Sequence, residues 1–408
     1  MSTEIIHESA TLKGAASDYW SRVKAGDIGA LPAILGLVAL CAIFGAMSDV
    51  FLTPGNFANL LTQAAAVIVI AMGLVFVLLL GEIDLSAGYA AGVSGAVLVI
   101  LITNHEVAWY IAFPISIMVG ALLGFVLGSL VARIGIPSFV VTLAAFLAFQ
   151  GLLLLLAGEG GTIRIEDKTI LAVENSNLSP LLSWVFFIVV AVAYVATGLN
   201  RLNTRRRAGL KTELVKLWVI KTASLLVITG GAVFALNVER SNNPQLVSLK
   251  GIPYVVPLIL FLLAVGTFVL GRTAFGRHIY AVGGNAEAAR RAGINVKRVR
   301  ISAFVICSSL AAVAGMIFAS RQNSISPTTG GSSTLLYAVG AAVIGGTSLF
   351  GGKGKMRDAI LGGLVVAVID NGMGLLGYAA GIKFIVTGLV LLVSAGVDAV
   401  SRRGSSVS

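Results

Sequence analysis

Charge is what this sequence has least of. Of its 408 residues only 12% are Asp, Glu, Lys or Arg, about half the share found in water-soluble domains. With 57% hydrophobic residues as well, a soluble globular domain is excluded and an integral membrane protein is expected. Histidine is also scarce. His7, His105 and His278 fall in separate polar segments on both sides of the expected membrane, so they offer no catalytic constellation. Both cysteines, Cys41 and Cys307, lie within apolar runs, which argues against a disulfide or zinc site and leaves them as small packing residues. There is no HExxH pair, no GxSxG elbow and no GxxxxGK[ST] phosphate loop. The segment GGTSLFGGKGK has the wrong spacing for the last of these and leads into another apolar run. The chain is therefore expected to be non-catalytic, with no metal or cofactor of its own and no capacity to hydrolyse ATP by itself.

Apolar runs of membrane-spanning length, about 17 to 25 residues, recur near 31–48, 60–80, 87–104, 108–132, 137–157, 180–199, 217–237, 253–271, 299–320, 334–350, 357–377 and 382–400. The expected fold is all-α, a polytopic membrane helix bundle of about 10–12 transmembrane helices. Glycine in the runs 334–350 and 357–377 leaves a broken or re-entrant helix open there. Residues 1–30 read as a cytoplasmic tail, since they carry both signs of charge and no apolar core of a cleavable signal. Residues 31–400 read as one transmembrane domain, and 401–408 as a second cytoplasmic tail.

Lys and Arg are retained on the cytoplasmic side of a membrane protein. With the N-terminus inside, 22 of the 29 basic residues fall in inside segments and 6 in outside ones, with Lys221 inside a span. Both termini are thus expected in the cytoplasm. This asymmetry also accounts for the net charge of +11: the partner it implies is membrane lipid, not nucleic acid.

In GALLGFVLGS, Gly120, Gly124 and Gly128 recur on one helix face, the spacing of two helix backbones in close contact. Charged residues inside spans are few, Asp370 and Lys221 being the clear cases. Asp370, in IDNG, reads either as a helix end or break that caps backbone amides or as a polar group on a transport path. Glu82 and Asp84, in GEIDLSAG, read as caps or contacts with inside basic residues, or as ion-coupling groups.

The stretch GRHIYAVGGNAEAARRAGINVKRVR, Gly276 to Arg300, reads differently from its surroundings. Gly283 and Gly284 permit a sharp turn, and Asn285 is a good N-cap for a helix over Ala286–Ala292. Glu287 lies in its first turn and Arg290 and Arg291 in its last, which suits the helix dipole. Gly293 is a stop, and Asn295 can cap the following span. Two helical turns are unstable alone, so a docking role is expected for them.

That stretch resembles the coupling loop of membrane permease subunits from bacterial ABC importers for monosaccharides, of the ribose and xylose type. Further matching blocks follow in order: NFANLLTQAA at Asn56, GEIDLSAG at Gly81, PSFVVTLAAFLAFQG at Pro137, VIGGTSLFGG at Val343 and IDNGMGLL at Ile369. The long segment 200–237, a basic loop and an extra apolar run, is closer to the xylose type. The resemblance implies a homodimer of permease copies in the bacterial inner (plasma) membrane. It also implies a cytoplasmic ATPase carrying ATP-Mg and an extracytoplasmic sugar-binding protein as partners. Within the coupling loop 272–300, it implies ATPase coupling by Gly284, Asn285, Glu287, Ala288, Ala289, Arg290, Arg291 and Gly293, with the span from Val299 passing on the motion. A sugar path needs weak polar contacts, for which Gln63, Gln150, Asp370 and Asn371 are the candidates, each equally able to serve as an interhelical hydrogen bond. Arg321, Gln322 and Asn323 are expected outside by parity and read either as a meeting point for a binding protein or as a solvated loop. Two departures stand out. Leu335-Leu336-Tyr337 replaces an acidic position, and Asp358 stands where a small residue is usual, which suggests a partner contact. A self-sufficient carrier driven by an ion gradient is the alternative, resting on Asp370 and Lys221.

Overall fold

The computed structural model describes residues 31–158, 161–209 and 215–405; the expected tail 1–30 and residues 406–408 lie outside the described residues. It has two compact units, one comprising Gly29–Ser176 and Pro253–Ala399, the other built on Asn177–Ile252.

The first unit contains α1 (Leu31–Met47), α2 (Pro54–Leu78), α3 (Ala87–Thr103), α4 (Trp109–Ser129), α5 (Ser138–Ala157), the short strand β1 (Ile163–Arg164) and α6 (Lys168–Asn175). The second contains α7 (Pro180–Arg207) and α8 (Val215–Asn237). The first unit then resumes with α9 (Val255–Arg272), α10 (Ala274–Gly284), α11 (Ala286–Arg291), α12 (Val296–Gln322), β2 (Ser324–Ile325), α13 (Ser332–Ile344) and α14 (Met356–Leu375). The last helix is α15 (Ala380–Ser405), which runs on into the segment expected as the C-terminal tail.

Eight described helices are long and apolar enough to cross a membrane: α2, α4 with its π-type continuation to Ile134, α5, α7, α8, α9, α12 and α14. Four shorter apolar helices, α1, α3, α13 and the Ala380–Gly396 part of α15, stand at the other expected positions. The chain is thus a polytopic all-α membrane bundle. At 1.5 Å per residue α13 is about 20 Å long, short of the roughly 30 Å hydrocarbon layer. It ends at Ile344, and a glycine-rich loop over 345–355 follows. The run 357–377, by contrast, is not broken. Asp370 and Asn371 lie inside the continuous helix α14, so the Asp-Asn-Gly sequence makes no turn here. Their side chains bond across to other helices, and this removes the local competition with the backbone that favours a turn.

The core of the first unit is where α2, α3 and α4 surround α12. α2 is 78% buried along its most hydrophobic window, against 22% for α5, as expected of a central and a lipid-facing helix. The glycine face of α4 meets α12. A Cβ at Gly120 would collide with the carbonyl oxygen of Ser308 and one at Gly124 with that of Phe304, while at Gly128 it would stand 2.8 Å from Ile301 Cα. No side chain larger than hydrogen fits, and the association gains from backbone packing where lipid supplies no hydrophobic driving force.

In the second unit α7 and α8 pair as a hairpin in which the ring of Trp218 covers Gly198. Its outer loop is closed by Glu239, whose carboxylate accepts hydrogen bonds from Leu249 N (2.9 Å), Ser248 Oγ (2.8 Å) and Ser241 N (3.0 Å).

Connecting segments of the first unit that were expected on the same side meet one another. Of those expected outside, β1 pairs antiparallel with β2, Ile163 opposite Ile325. Of those expected inside, Gly352 N donates to Leu79 O at 2.8 Å, and Arg300 pairs with Glu82 at 3.0 Å. The contact reading of GEIDLSAG therefore holds for Glu82. Asp84 is fully buried and accepts from the backbone N and the hydroxyl of Ser86, at 2.9 and 2.6 Å, ahead of α3.

Candidate functional site

Two places gather polar side chains, one at each face of the first unit. On the side expected to face the cytoplasm, α11 is six residues long and is stopped at both ends. Asn285 Oδ1 accepts from Ala288 N at 2.9 Å. At the other end Ile294 N donates to Ala289 O and Gly293 N to Arg290 O, both at 3.0 Å, with Gly293 in the left-handed region at φ 85°. This is a glycine C-cap of the Schellman kind. Asn295 Oδ1 in turn accepts from Arg298 N at 3.0 Å and starts α12.

Only Ala289 of α11 is buried; Glu287, Ala288, Arg290 and Arg291 are exposed. Glu287 is clasped by Arg290 (2.8 Å) and Arg291 (3.2 Å), which hold its carboxyl below the usual range. Ion pairs this exposed add little stability. They order the charged face that the helix exposes. Beside it a cavity of about 360 Å³ opens between Phe275 and His278 of α10 and Arg298 and Ser302 of α12.

Gly283 and Gly284 make no turn, contrary to the sequence reading. They form the last turn of α10, and the chain reverses at the extended residue Asn285 (φ −159°, ψ 102°). Gly283 is needed for closeness, because a Cβ there would run into Leu79 O.

Asp358 is not a partner contact either. It is 5% exposed and points inward, accepting from Lys355 N at 2.7 Å and Thr347 Oγ1 at 3.3 Å. It ties the glycine loop to the first turn of α14, where an acid also suits the helix dipole.

The second place lies toward the extracytoplasmic ends of α2 and α14. Gln63 Nε2 donates to Asp370 Oδ2 at 2.6 Å, and Asn371 Nδ2 donates to Gln63 Oε1 at 3.3 Å. Asn371 and Asn56 exchange a pair of hydrogen bonds, each side-chain amide Nδ2 donating to the other's Oδ1 at 2.9 Å. Lys383 of α15 stands 3.7 Å from the other oxygen of Asp370. Three of the four sequence candidates, Gln63, Asp370 and Asn371, are thus brought together; Gln150 sits apart, on an exposed face of α5. Asn56 and Lys383 were missed. For Asn56 the signal was present, since Asn56, Asn59, Thr62 and Gln63 form a polar stripe at helical spacing along the start of α2. Lys383 carried no local signal beyond being a lone outside cation.

The same stripe receives Arg321, whose Nη1 donates to Thr62 Oγ1 at 2.9 Å. Arg321 also lies 4.0 Å from Glu174 of α6, and Asn323 Oδ1 accepts from Asn175 at 3.0 Å. These residues fasten α6, α12 and α2 to one another. Glu174 is buried and its carboxylate accepts no hydrogen bond from any described residue. Burial pushes its pKa up to about 8, with Arg321 pulling the other way.

A bundle that crosses the membrane many times, holds polar side chains between helices near one face and offers a short capped helix at the other is built as a membrane permease. Residues 56–395 match the family described as branched-chain amino acid transport system, permease component, and the chain belongs to that family. It is 34% identical to the xylose transport system permease protein XylH of Escherichia coli strain K12, over 95% of this chain and 96% of that one. With XylH of Haemophilus influenzae the identity is 32%, over 91% and 96%. With the ribose import permease protein RbsC of Escherichia coli strain K12 it is 29%, over 90% and 92%. No solved structure matches the chain. The protein is a multi-pass protein of the bacterial inner membrane.

Proposed function

We propose that this chain is the membrane subunit of an ATP-driven importer for a monosaccharide, with xylose the leading substrate. The observation that carries the reading is α11, a helix too short to stand alone, capped at both ends and leaving Glu287, Ala288, Arg290 and Arg291 exposed. Its occupant is a groove of a separate ATPase subunit, which holds the ATP and Mg. Two copies of the chain form the path, and an extracytoplasmic binding protein delivers the sugar. The relatives whose names specify xylose and ribose support the substrate class. In the path, Gln63, Asp370 and Asn371 supply amide and carboxylate groups that exchange their bonds with one another for transient bonds to sugar hydroxyls. Their strength is limited because each already has a partner to return to.

The test is uptake into liposomes containing the chain, with and without the ATPase, the binding protein and internal ATP, using xylose against ribose, arabinose and glucose. Uptake that requires every component supports the proposal. Uptake by the chain alone under a proton or sodium gradient refutes it in favour of a secondary carrier. The double substitution Arg290→Glu with Arg291→Glu is expected to abolish ATPase association and uptake while membrane insertion is retained.

A further inference from the structure

The two helices that carry the outer polar cluster are also the two whose cytoplasmic ends are locked to the coupling segment. α2 holds Asn56 and Gln63 near its start and ends beside Leu79. The carbonyl oxygen of Leu79 accepts from Gly352 N at 2.8 Å and lies so close to Gly283 that no Cβ fits between them. Gly351 is wedged there too: a Cβ on it would stand 2.8 Å from Gly81 N and 3.0 Å from Gly283 O. Gly351 and Gly352 have φ of 83° and 76°, a conformation that favours glycine on both counts. Two residues on, Tyr280 of α10 donates its hydroxyl to Gly354 O at 2.8 Å. The loop then enters α14 through the Lys355 to Asp358 bond, and α14 carries Asp370 and Asn371 at its far end.

Here α10, the end of α2 and the glycine loop meet backbone to backbone. Long side chains absorb a small displacement by changing rotamer, but backbone contacts without intervening side chains transmit it. We infer that Gly283, Gly352 and Tyr280 are positioning residues for transport, a clamp that passes movement of α11 and α10 to α2 and α14 and so to Gln63, Asp370 and Asn371. The span from Val299 is then one of two routes out of the coupling helix. This rests on the reading of α11 as the ATPase-docking helix.

Contiguity alone does not make coupling, so the test reads the ratio of sugar moved to ATP hydrolysed. The full complex with ATPase and binding protein is reconstituted in liposomes with the wild-type chain, Gly283→Ala or Tyr280→Phe. With ATPase association retained in each case, xylose moved per ATP is expected to fall about tenfold or more in Gly283→Ala, where a backbone contact is forced apart. In Tyr280→Phe, which removes one hydroxyl and keeps the ring, the fall is about fivefold, the weight of one hydrogen bond. An unchanged ratio in Tyr280→Phe overturns the inference, as does a proportionate loss of hydrolysis and uptake in both variants. Failure of the wild-type chain to associate with the ATPase overturns the reading of α11 and this inference with it.

Discussion

Replacing Glu174 by glutamine removes a titratable group from a place where its charged form has almost no support. Its side chain is 1% exposed, neither carboxylate oxygen has a hydrogen-bond partner among the described residues, and Arg321 stands 4.0 Å away with its better bond made to Thr62. The raised pKa of about 8, against an ordinary 4.5, means that docked α6 binds this proton more tightly than undocked α6. The sign follows from linkage. The contribution to docking is fully present below pH 4.5 and is lost as pH rises through 8. Between pH 6 and pH 8 the equilibrium for release of α6 should rise about 50-fold, or about 2 kcal/mol. The assay is hydrogen exchange of the amides of 168–175 at both pH values, corrected for the intrinsic pH dependence of exchange. Wild-type protection should fall toward pH 8, whereas Glu174→Gln, with nothing to titrate, should keep its protection. Equal corrected protection at both pH values in the wild type, or the same slope in the glutamine variant, would refute the argument.

Three further outcomes follow from contacts described above. Gly124→Leu should lower the thermal stability of the detergent-solubilised protein by about 1–3 kcal/mol or more, because α4 cannot back away from Phe304 without losing the whole seam; Gly151→Leu, at a position with open space, is the control. Asn285→Ala removes the cap of α11 at a cost of about 1 kcal/mol, and the Kd for the ATPase subunit should weaken several-fold with bundle stability unchanged. Asp358→Ala leaves Lys355 N and Thr347 Oγ1 without their acceptor and should cost about 1–3 kcal/mol in thermal unfolding; if Asp358 served only a partner, stability of the isolated chain would not move.

Whatever depends on near neighbours along the chain was legible before any coordinates. Asn285, Glu287, Arg290, Arg291 and Gly293 fall within a few residues of one another, and a cap, an i,i+4 pair and a glycine stop are local devices. Likewise Gly120, Gly124 and Gly128 lie on one face by helical period alone, so the sequence predicted close contact there without naming α12 as the partner. The meaning of Gly283 was misread for a related reason. A glycine pair signals a turn or a close approach equally well, and only the position of Leu79, some two hundred residues earlier, decides between them.

Asp370 shows the same division. By itself Asp-Asn-Gly competes with a helix; with Gln63, Asn56 and Lys383 beside it, the side chains bond across helices and α14 runs straight through. Asp358 was expected to meet a partner because it departs from the small residue usual at that position, yet the fold turns it inward to hold a loop. The sequence by itself determined the membrane class, the order of the spans and the short helix capped by Asn285, since hydropathy and capping act over a few turns of chain. Only the tertiary structure decided which polar groups meet and which glycines serve closeness, because those depend on which helices become neighbours.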